Sequence, residues 1–318
     1  MLNSAAAFRK KGTILKKVVS VSLGSSRRNH QVHLSLLGQE VSIERIGTDG
    51  DMERAVQLIR NLDGKVDAIG LGGIDLYIFA GSKRYVLKDG AKLAQAARIT
   101  PVVDGSGLKN TLERQVVFNL AEQGLLYRGQ KVLVVCAVDR FGLAESLEKV
   151  GCRTTYGDLY FGLGIPIALH RLETLQKWAQ LIIPVISKVP FHYLYPTGNK
   201  QEKKKTLSAS FIKETDVIAG DFHFIKRYML EQLEGKVILT NTVTAEDVDL
   251  LKGCGVSRLV TTTPEIAGRS FGTNVMEALF VALTSSSKEK ESIQSYTNLI
   301  KQLDWQPRIV NFYCNKTA

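Results

Sequence analysis

The sequence predicts an α/β protein, an N-terminal α/β unit followed by a Rossmann-like parallel sheet with helices on both faces. Three observations predict it. The stretch Lys131 to Asp158 (KVLVVCAVDRFGLAESLEKVGCRTTYGD) reads as strand, turn, helix and second strand. Counted with the pattern that resumes at Asp216, strand and helix signals alternate five times, and right-handed crossovers turn such alternation into a parallel sheet. The 318 residues are 44% hydrophobic and 23% charged, an ordinary globular balance at a length that suits two units sharing a cleft.

The formal charge is +11, and its distribution matters more than its size. Seven basic residues (Arg9, Lys10, Lys11, Lys16, Lys17, Arg27, Arg28) precede Glu40 with no acidic one among them, and Lys203-Lys204-Lys205 adds a second cluster. Such clusters attract phosphate-rich partners, or are simply solvated. Basic residues are not interleaved with aromatics as single-strand binders require, so a nucleic-acid partner is not expected. Four cysteines (Cys136, Cys152, Cys254, Cys314) lack metal-ligand spacing, which fits a reducing cytoplasm and no metal. No run is long enough for a signal peptide core or a membrane span.

In chain order, residues 1–16 read as a basic arm. Residues 17–128 read as the first unit and 129–318 as the second, with a helical insertion at about 159–213. Lys17 to Leu23 is a strand whose end carries Gly24-Ser25-Ser26-Arg27-Arg28, a setting for an anion or a polar turn. A hairpin pairs Gln31–Leu37 with Glu40–Ile46. A helix runs from Asp51 to about Leu62. The strand Val66–Leu71 leads into Gly72-Gly73-Ile74-Asp75, Ile74–Phe79 pairs with Tyr85–Leu87, and a helix follows at about Ala91–Arg98.

The segment TPVVDGSGLKNTLER, residues 100–114, is a short strand, a glycine loop and a helix start for which Asn110 and Glu113 form a capping pair. Open α/β sheets hold ligands outside the carboxyl ends of their strands, where Asp104, Ser106, Lys109 and Asn110 all fall. Lys109 and Asp104 suit a proton-transfer pair; a capped helix behind a glycine turn accounts for Asn110 and the glycines equally well.

Lys131–Asp158 has the layout of a dinucleotide-binding unit, with an acidic residue about twenty positions beyond the turn. The glycine fingerprint is incomplete. If Gly142 is its last glycine, Ala137 and Asp139 occupy the two earlier positions, and an aspartate there needs compensation from Arg140 or a metal. Asp139, Arg140, Phe141 and Gly142 are the expected cofactor turn. Asp158 is the expected acceptor for adenosine ribose hydroxyls, which favours NAD over NADP.

Beyond Asp158, Tyr160–Pro166 reads as loop and Leu172–Lys188 as an amphipathic helix, followed by Phe191–Pro196 and a basic loop. This insertion suits a lid, a dimer face or a surface anchor. Strands then follow at Asp216–Ala219, Lys236–Thr240 and Ser257–Thr262, with helices at Phe222–Leu233 and after Thr244, which caps with Asp247. In the last loop Arg269, Gly272, Thr273 and Asn274 precede a helix start, where N–H groups and the dipole favour an anion. Asn274 with Glu277 reads as its capping pair. The five histidines are isolated by spacing.

The runs SVSLGSSRRNH, IGTDGDMERA, TPVVDGSGLKNTLER and TTTPEIAGRSFGTNVMEA together resemble bacterial proteins labelled quinate 5-dehydrogenase, over most of Lys17–Leu283. The order of units is similar to that of quinate and shikimate dehydrogenases. The resemblance implies NAD- or NADP-dependent oxidation of a hydroxylated ring acid, with a lysine and an aspartate beside the carbinol. The family's Thr-x-Pro-His-Lys setting is absent, and Leu112 stands where its pattern has aspartate. Lys109 and Asp104 are therefore nominated by position, and Arg27, Arg28 or Lys109 would meet the acid's carboxylate. The alternative reading is a non-redox binding or regulatory protein that kept the fold and lost the dinucleotide site.

Overall fold

The computed structural model describes residues 15–80, 83–187, 189, 210–228, 233–266, 269–284 and 293–312. The basic arm through residue 14, Phe191–Pro196, Lys203–Lys205 and Cys314 lie outside the described residues. The chain runs through β1 (Lys16–Ser22), β2 (His30–Leu36), β3 (Gln39–Gly47), α1 (Met52–Leu62) and β4 (Ala68–Gly72). The hairpin β5 (Tyr77–Ala80) and β6 (Lys83–Val86), then α2 (Lys88–Ala94) and β7 (Val102–Val103), complete the first part.

The first sheet has the order β2-β3-β1-β4-β7, parallel except for the edge strand β2. Leu37 and Gly38 both have positive φ (51° and 75°), the conformation of a tight hairpin turn whose twist matches its strands. Alternation along β1 divides its two faces. Val19 and Val21 pack with Ala55, Val56 and Ile59 of α1, while Val18 joins a separate cluster on the opposite face. Each such buried aliphatic side chain contributes about 1.5–3 kcal/mol.

The second part contains α3 (Ser106–Glu122), β8 (Lys131–Val134), α4 (Phe141–Val150), β9 (Arg153–Tyr156), α5 (Asp158–Leu163), α6 (Leu172–Ile186) and α7 (Ser210–Lys213). It continues with β10 (Val217–Ala219), α8 (Phe222–Tyr228), β11 (Val237–Thr240), α9 (Ala245–Gly253), β12 (Arg258–Thr261) and a small hairpin, β13 (Glu265–Ile266) with β14 (Arg269–Ser270). It ends with α10 (Thr273–Leu283), α11 (Ile293–Gln302) and β15 (Arg308–Asn311). Its sheet has the order β9-β8-β10-β11-β12-β15, parallel but for β15. Helices and parallel sheets thus form the α/β architecture expected. The order of the parallel strands is that of the flavodoxin-like doubly wound sheet, whose ligand crevice opens where the order switches, here between β8 and β10. In the first sheet the equivalent switch falls between β1 and β4.

Several sequence expectations are corrected. Asn110 does not cap α3, which begins at Ser106 behind Gly105 at φ 93°. Asn110 lies one turn inside, its Oδ1 accepting from Arg114 Nε and Nη2. Asn274 does not cap α10 either. Its Nδ2 donates to Ser20 Oγ at 2.8 Å, and Glu277 turns away to cap α3 instead, accepting from the N–H groups of Gly105 (2.6 Å) and Leu108 (3.1 Å). The Thr244–Asp247 capping box forms as read. The loop expected from Tyr160 is helical to Leu163, and β15 pairs along an edge for which no strand was expected.

Two elements cross between the sheets. Although α10 follows β12 in the chain, it packs on β1 and β4 of the first sheet. Helix α6 carries Ala179 and Ile183 against Ile78 and Leu87 of the β5–β6 region. The second sheet's sequence segment therefore supplies part of the first sheet's cover.

Candidate functional site

Both switch points open onto one cleft of about 250 Å³. The loops after β1, β4, β8, β10 and β11 line it with Ser22, Asp75, Asp139, Asp221 and Asn241 among others. Its volume lies below the roughly 300–1,000 Å³ of sites for drug-sized ligands.

Lys109 sits in the cleft wall because α3 starts at Ser106 and projects its first turn toward the turn after β8. Its Nζ lies 2.9 and 2.8 Å from the two oxygens of Asp139 and 3.7 Å from Asp75 Oδ1. Burial disfavours the ammonium, but the carboxylates of Asp139 and Asp75 outweigh it and hold the lysine above its ordinary value. Burial and the Asp75 charge push Asp139 up to about 7, with Lys109 opposing. The expected partner of Lys109 is corrected. Asp104 spends both oxygens on structure, accepting from Leu76 and Tyr77 N–H (2.7 and 2.9 Å) and from Ser106 N–H and Oγ (3.0 and 2.6 Å). Ser106 is thereby committed to Asp104.

The turn after β8 is closed by its own contacts. Arg140 is buried and pairs with Glu113 of α3 and, at 3.3 Å, with Asp221 after β10. Phe141 packs on the core, and Gly142 lies against α3. A Cβ at Gly142 would overlap Asn110 Oδ1 and come within 2.8 Å of the Asn110 carbonyl. Asp158 Oδ1 accepts from Val138 N–H at 2.9 Å, and burial pushes its carboxyl up to about 6. A dinucleotide pyrophosphate needs free N–H groups and glycine-wide clearance at the first helix N-terminus. Here Ala137 and Asp139 stand at the first two glycine positions, Asp139 is paired with Lys109, and Asp158 accepts from the turn's own Val138 N–H, so these residues do not fit a dinucleotide in the usual pose.

The other nominated residues divide between cleft and scaffold. Arg28 lines the cleft, and its Nη1 contacts His223 Nε2 at 3.1 Å, whereas Arg27 is exposed and is not part of the lining. Gly272, Thr273 and Asn274 line the cleft, but the Asn274 backbone is seated on glycines of the first unit: a Cβ at Gly70 would lie 2.6 Å from its carbonyl oxygen. Arg269 belongs to β14, and its side chain lies outside the described residues.

Residues that sequence reasoning missed include Asp75, Asp221, His223, Arg227, Asn241 and Thr242. Asp75 and Asp221 follow strand ends that the sequence does reveal, so the carboxyl-end rule had the means to find them. His223 and Arg227 carry no such signal. Burial lowers the His223 pKa and Arg28 lowers it further, against Asp221. His223 Nε2 accepts from Arg28 Nη1. Among the described residues no His/Cys/Asp/Glu group could hold a metal, and no helix is long and apolar enough to cross a membrane.

The chain belongs to the family described as Domain of unknown function (DUF8754), whose model matches residues 107–312; a second model, Domain of unknown function (DUF8753), matches residues 17–104. No curated protein matches the sequence. Similar solved structures include a galactofuranose binding protein, 11% identical, covering 91% of this chain and 98% of that one at a TM-score of 0.35. Glutamate dehydrogenase from Thermus thermophilus is 13% identical, with 91% and 74% covered and a TM-score of 0.40. NAD-dependent malic enzyme from Thermotoga maritima is 12% identical, with 91% and 84% covered and a TM-score of 0.34. The fold class rests on the two sheets themselves.

Proposed function

We propose that the chain binds a compact, hydroxylated small-molecule acid in the cleft between its two sheets and does so without a dinucleotide. The observation that carries this reading is the closed turn after β8. Asp139 is held by Lys109, Arg140 by Glu113 and Asp221, Gly142 by α3, and Asp158 by the turn's own backbone. What remains open is a small chamber lined by hydroxyls, amides, carboxylates and guanidinium groups. Lys109 supports binding over proton transfer, because an ammonium held above its ordinary pKa donates hydrogen bonds but does not accept a proton near neutral pH.

A second reading is an NAD- or NADP-dependent oxidoreductase acting on a hydroxylated ring acid. It is favoured by the placement of Lys109 in the cleft beside two carboxylates, where it would meet a substrate hydroxyl. Thermal melts separate the two readings. A ligand at about one hundred times its dissociation constant adds roughly 2.7 kcal/mol, or about 4 °C for a protein of this size. The first reading expects that shift with quinate, shikimate or a sugar acid and none with NAD, NADH, NADP or NADPH. A shift of that size with either nucleotide pair replaces it with the second.

A further inference from the structure

Two cations in the cleft are left without a counter-charge. Arg28 enters from the short turn after β1, where Ser25 Oγ accepts from Arg27 N–H and fixes the turn. Arg227 enters from α8, one helical turn beyond His223 and therefore on the same face. Arg28 touches His223, and Arg227 lines the same cleft with its guanidinium 5.5 Å from the Tyr228 ring centroid. Neither arginine has an ion-pair partner among the described residues, and the Nε of each is buried with nothing to bond. The neighbouring acids are already engaged. Asp221 receives Arg140, Asn241 Nδ2 and the His223 N–H, Asp247 receives Lys226, and Asp139 receives Lys109.

A buried N–H without a partner costs about 1–3 kcal/mol, and both of these arginines line the same cleft. The Nε edge of a guanidinium is one of the edges that grip an oxyanion with two parallel hydrogen bonds. We infer that Arg28 and Arg227 form a two-sided clamp for an oxyanion, a carboxylate or a phosphate, carried by the cleft's ligand. This rests on the reading of the cleft as a ligand site and gives that ligand its acidic group. Because the arginines come from different sheets, anion binding also ties the two halves of the cleft together.

The test titrates the full chain at pH 7.5 and low salt with inorganic phosphate and, separately, with malonate, by calorimetry. At least one anion is expected to bind. Arg28→Gln and Arg227→Gln should each weaken it about tenfold or more, and Arg28→Lys should fail to restore it, since lysine keeps the charge but not the forked edge. Arg27→Gln, on the exposed neighbour, should leave binding unchanged. The anion that binds more tightly identifies the acid as phosphate or carboxylate. If neither anion binds, or if both Gln variants bind like the parent, the clamp is overturned. A ring acid or sugar that shifts the melting temperature equally in parent and Gln variants overturns the clamp while leaving the cleft reading intact. Melts without anion confirm that each variant is folded.

Discussion

Replacing Lys109 by methionine removes the cation that lies 2.8 Å from Asp139 and 3.7 Å from Asp75. The lysine side chain is 7% exposed, and the two carboxylates keep 20% and 18%. Removing one partner of a buried pair costs about 3–5 kcal/mol. The residual exposure of the acids places the expected loss at the lower end, about 3 kcal/mol at pH 8. The pH dependence is the sharper prediction. Burial and Asp75 already raise Asp139 to about 7, above its unfolded value of about 3.9. Such a group holds its proton in the folded state alone, so its contribution to stability falls as pH rises from about 4 through the folded pKa. In the parent that fall ends near 7; without Lys109 it continues higher. Lys109, raised above an unfolded value of about 10.4, is charged in both states throughout pH 5–9 and adds no slope. The gap between the two proteins should be constant below about pH 6 and widen from 7 to 9 in urea denaturation. A variant within about 1 kcal/mol of the parent at pH 8, or a gap that ignores pH, would refute the ion-pair account. Lys109→Met with Asp139→Leu should recover part of the loss, because the closer pair is removed together while Asp75 still loses the lysine.

Two further predictions concern the crossings between the sheets. Gly142→Ala should destabilise the protein by about 1–3 kcal/mol, since the new methyl meets Asn110 backbone as well as its side chain and α4 must shift off α3; an unchanged melting temperature would show that this contact is loose. Glu277→Gln should cost about 2–4 kcal/mol at pH 5, because its amide nitrogen would face the Gly105 N–H where an oxygen of the protonated carboxyl now accepts. Burial and Asp104 push Glu277 up to about 8, so parent stability should fall as pH rises from about 4.3 to 8 and the variant should lack that component. Melts at pH 5 and 8.5 should therefore show the smaller difference at the higher pH.

The fold was legible wherever one short stretch sufficed. Apolar runs give β1, β4 and β8, and the Thr244–Asp247 box gives the start of α9 because both partners lie within one turn. The same pattern misleads at Asn110–Glu113 and Asn274–Glu277. In each pair the acid is claimed from outside its own helix: Glu113 by Arg140, 27 positions later, and Glu277 by Gly105, 172 positions earlier. A capping motif reports only that the residues are able to cap. The site was legible to the same depth. Strand ends mark Asp75, Asp104, Asp139 and Asp221 as cleft residues, but which of them meets Lys109 depends on how α3 is laid across the second sheet.

That placement of α3 also explains why a dinucleotide-like layout need not hold a dinucleotide. The βαβ pattern from Lys131 to Asp158 fixes strand order and crossover, and the structure has both. Whether phosphate reaches the helix N-terminus depends on what the preceding turn carries, and here that is Asp139 paired with Lys109 of α3. The family segments divide the chain between residues 104 and 107, at the first turn of α3. Packing does not respect that division. One continuous cluster joins Val18, Val41 and Ile43 of the first sheet to Leu279 and Phe280 of α10 and to Val132 and Val134 of β8. Neither segment closes its core alone, so the cleft walls are held by shared packing, and the charges that meet across it are positioned by residues from both.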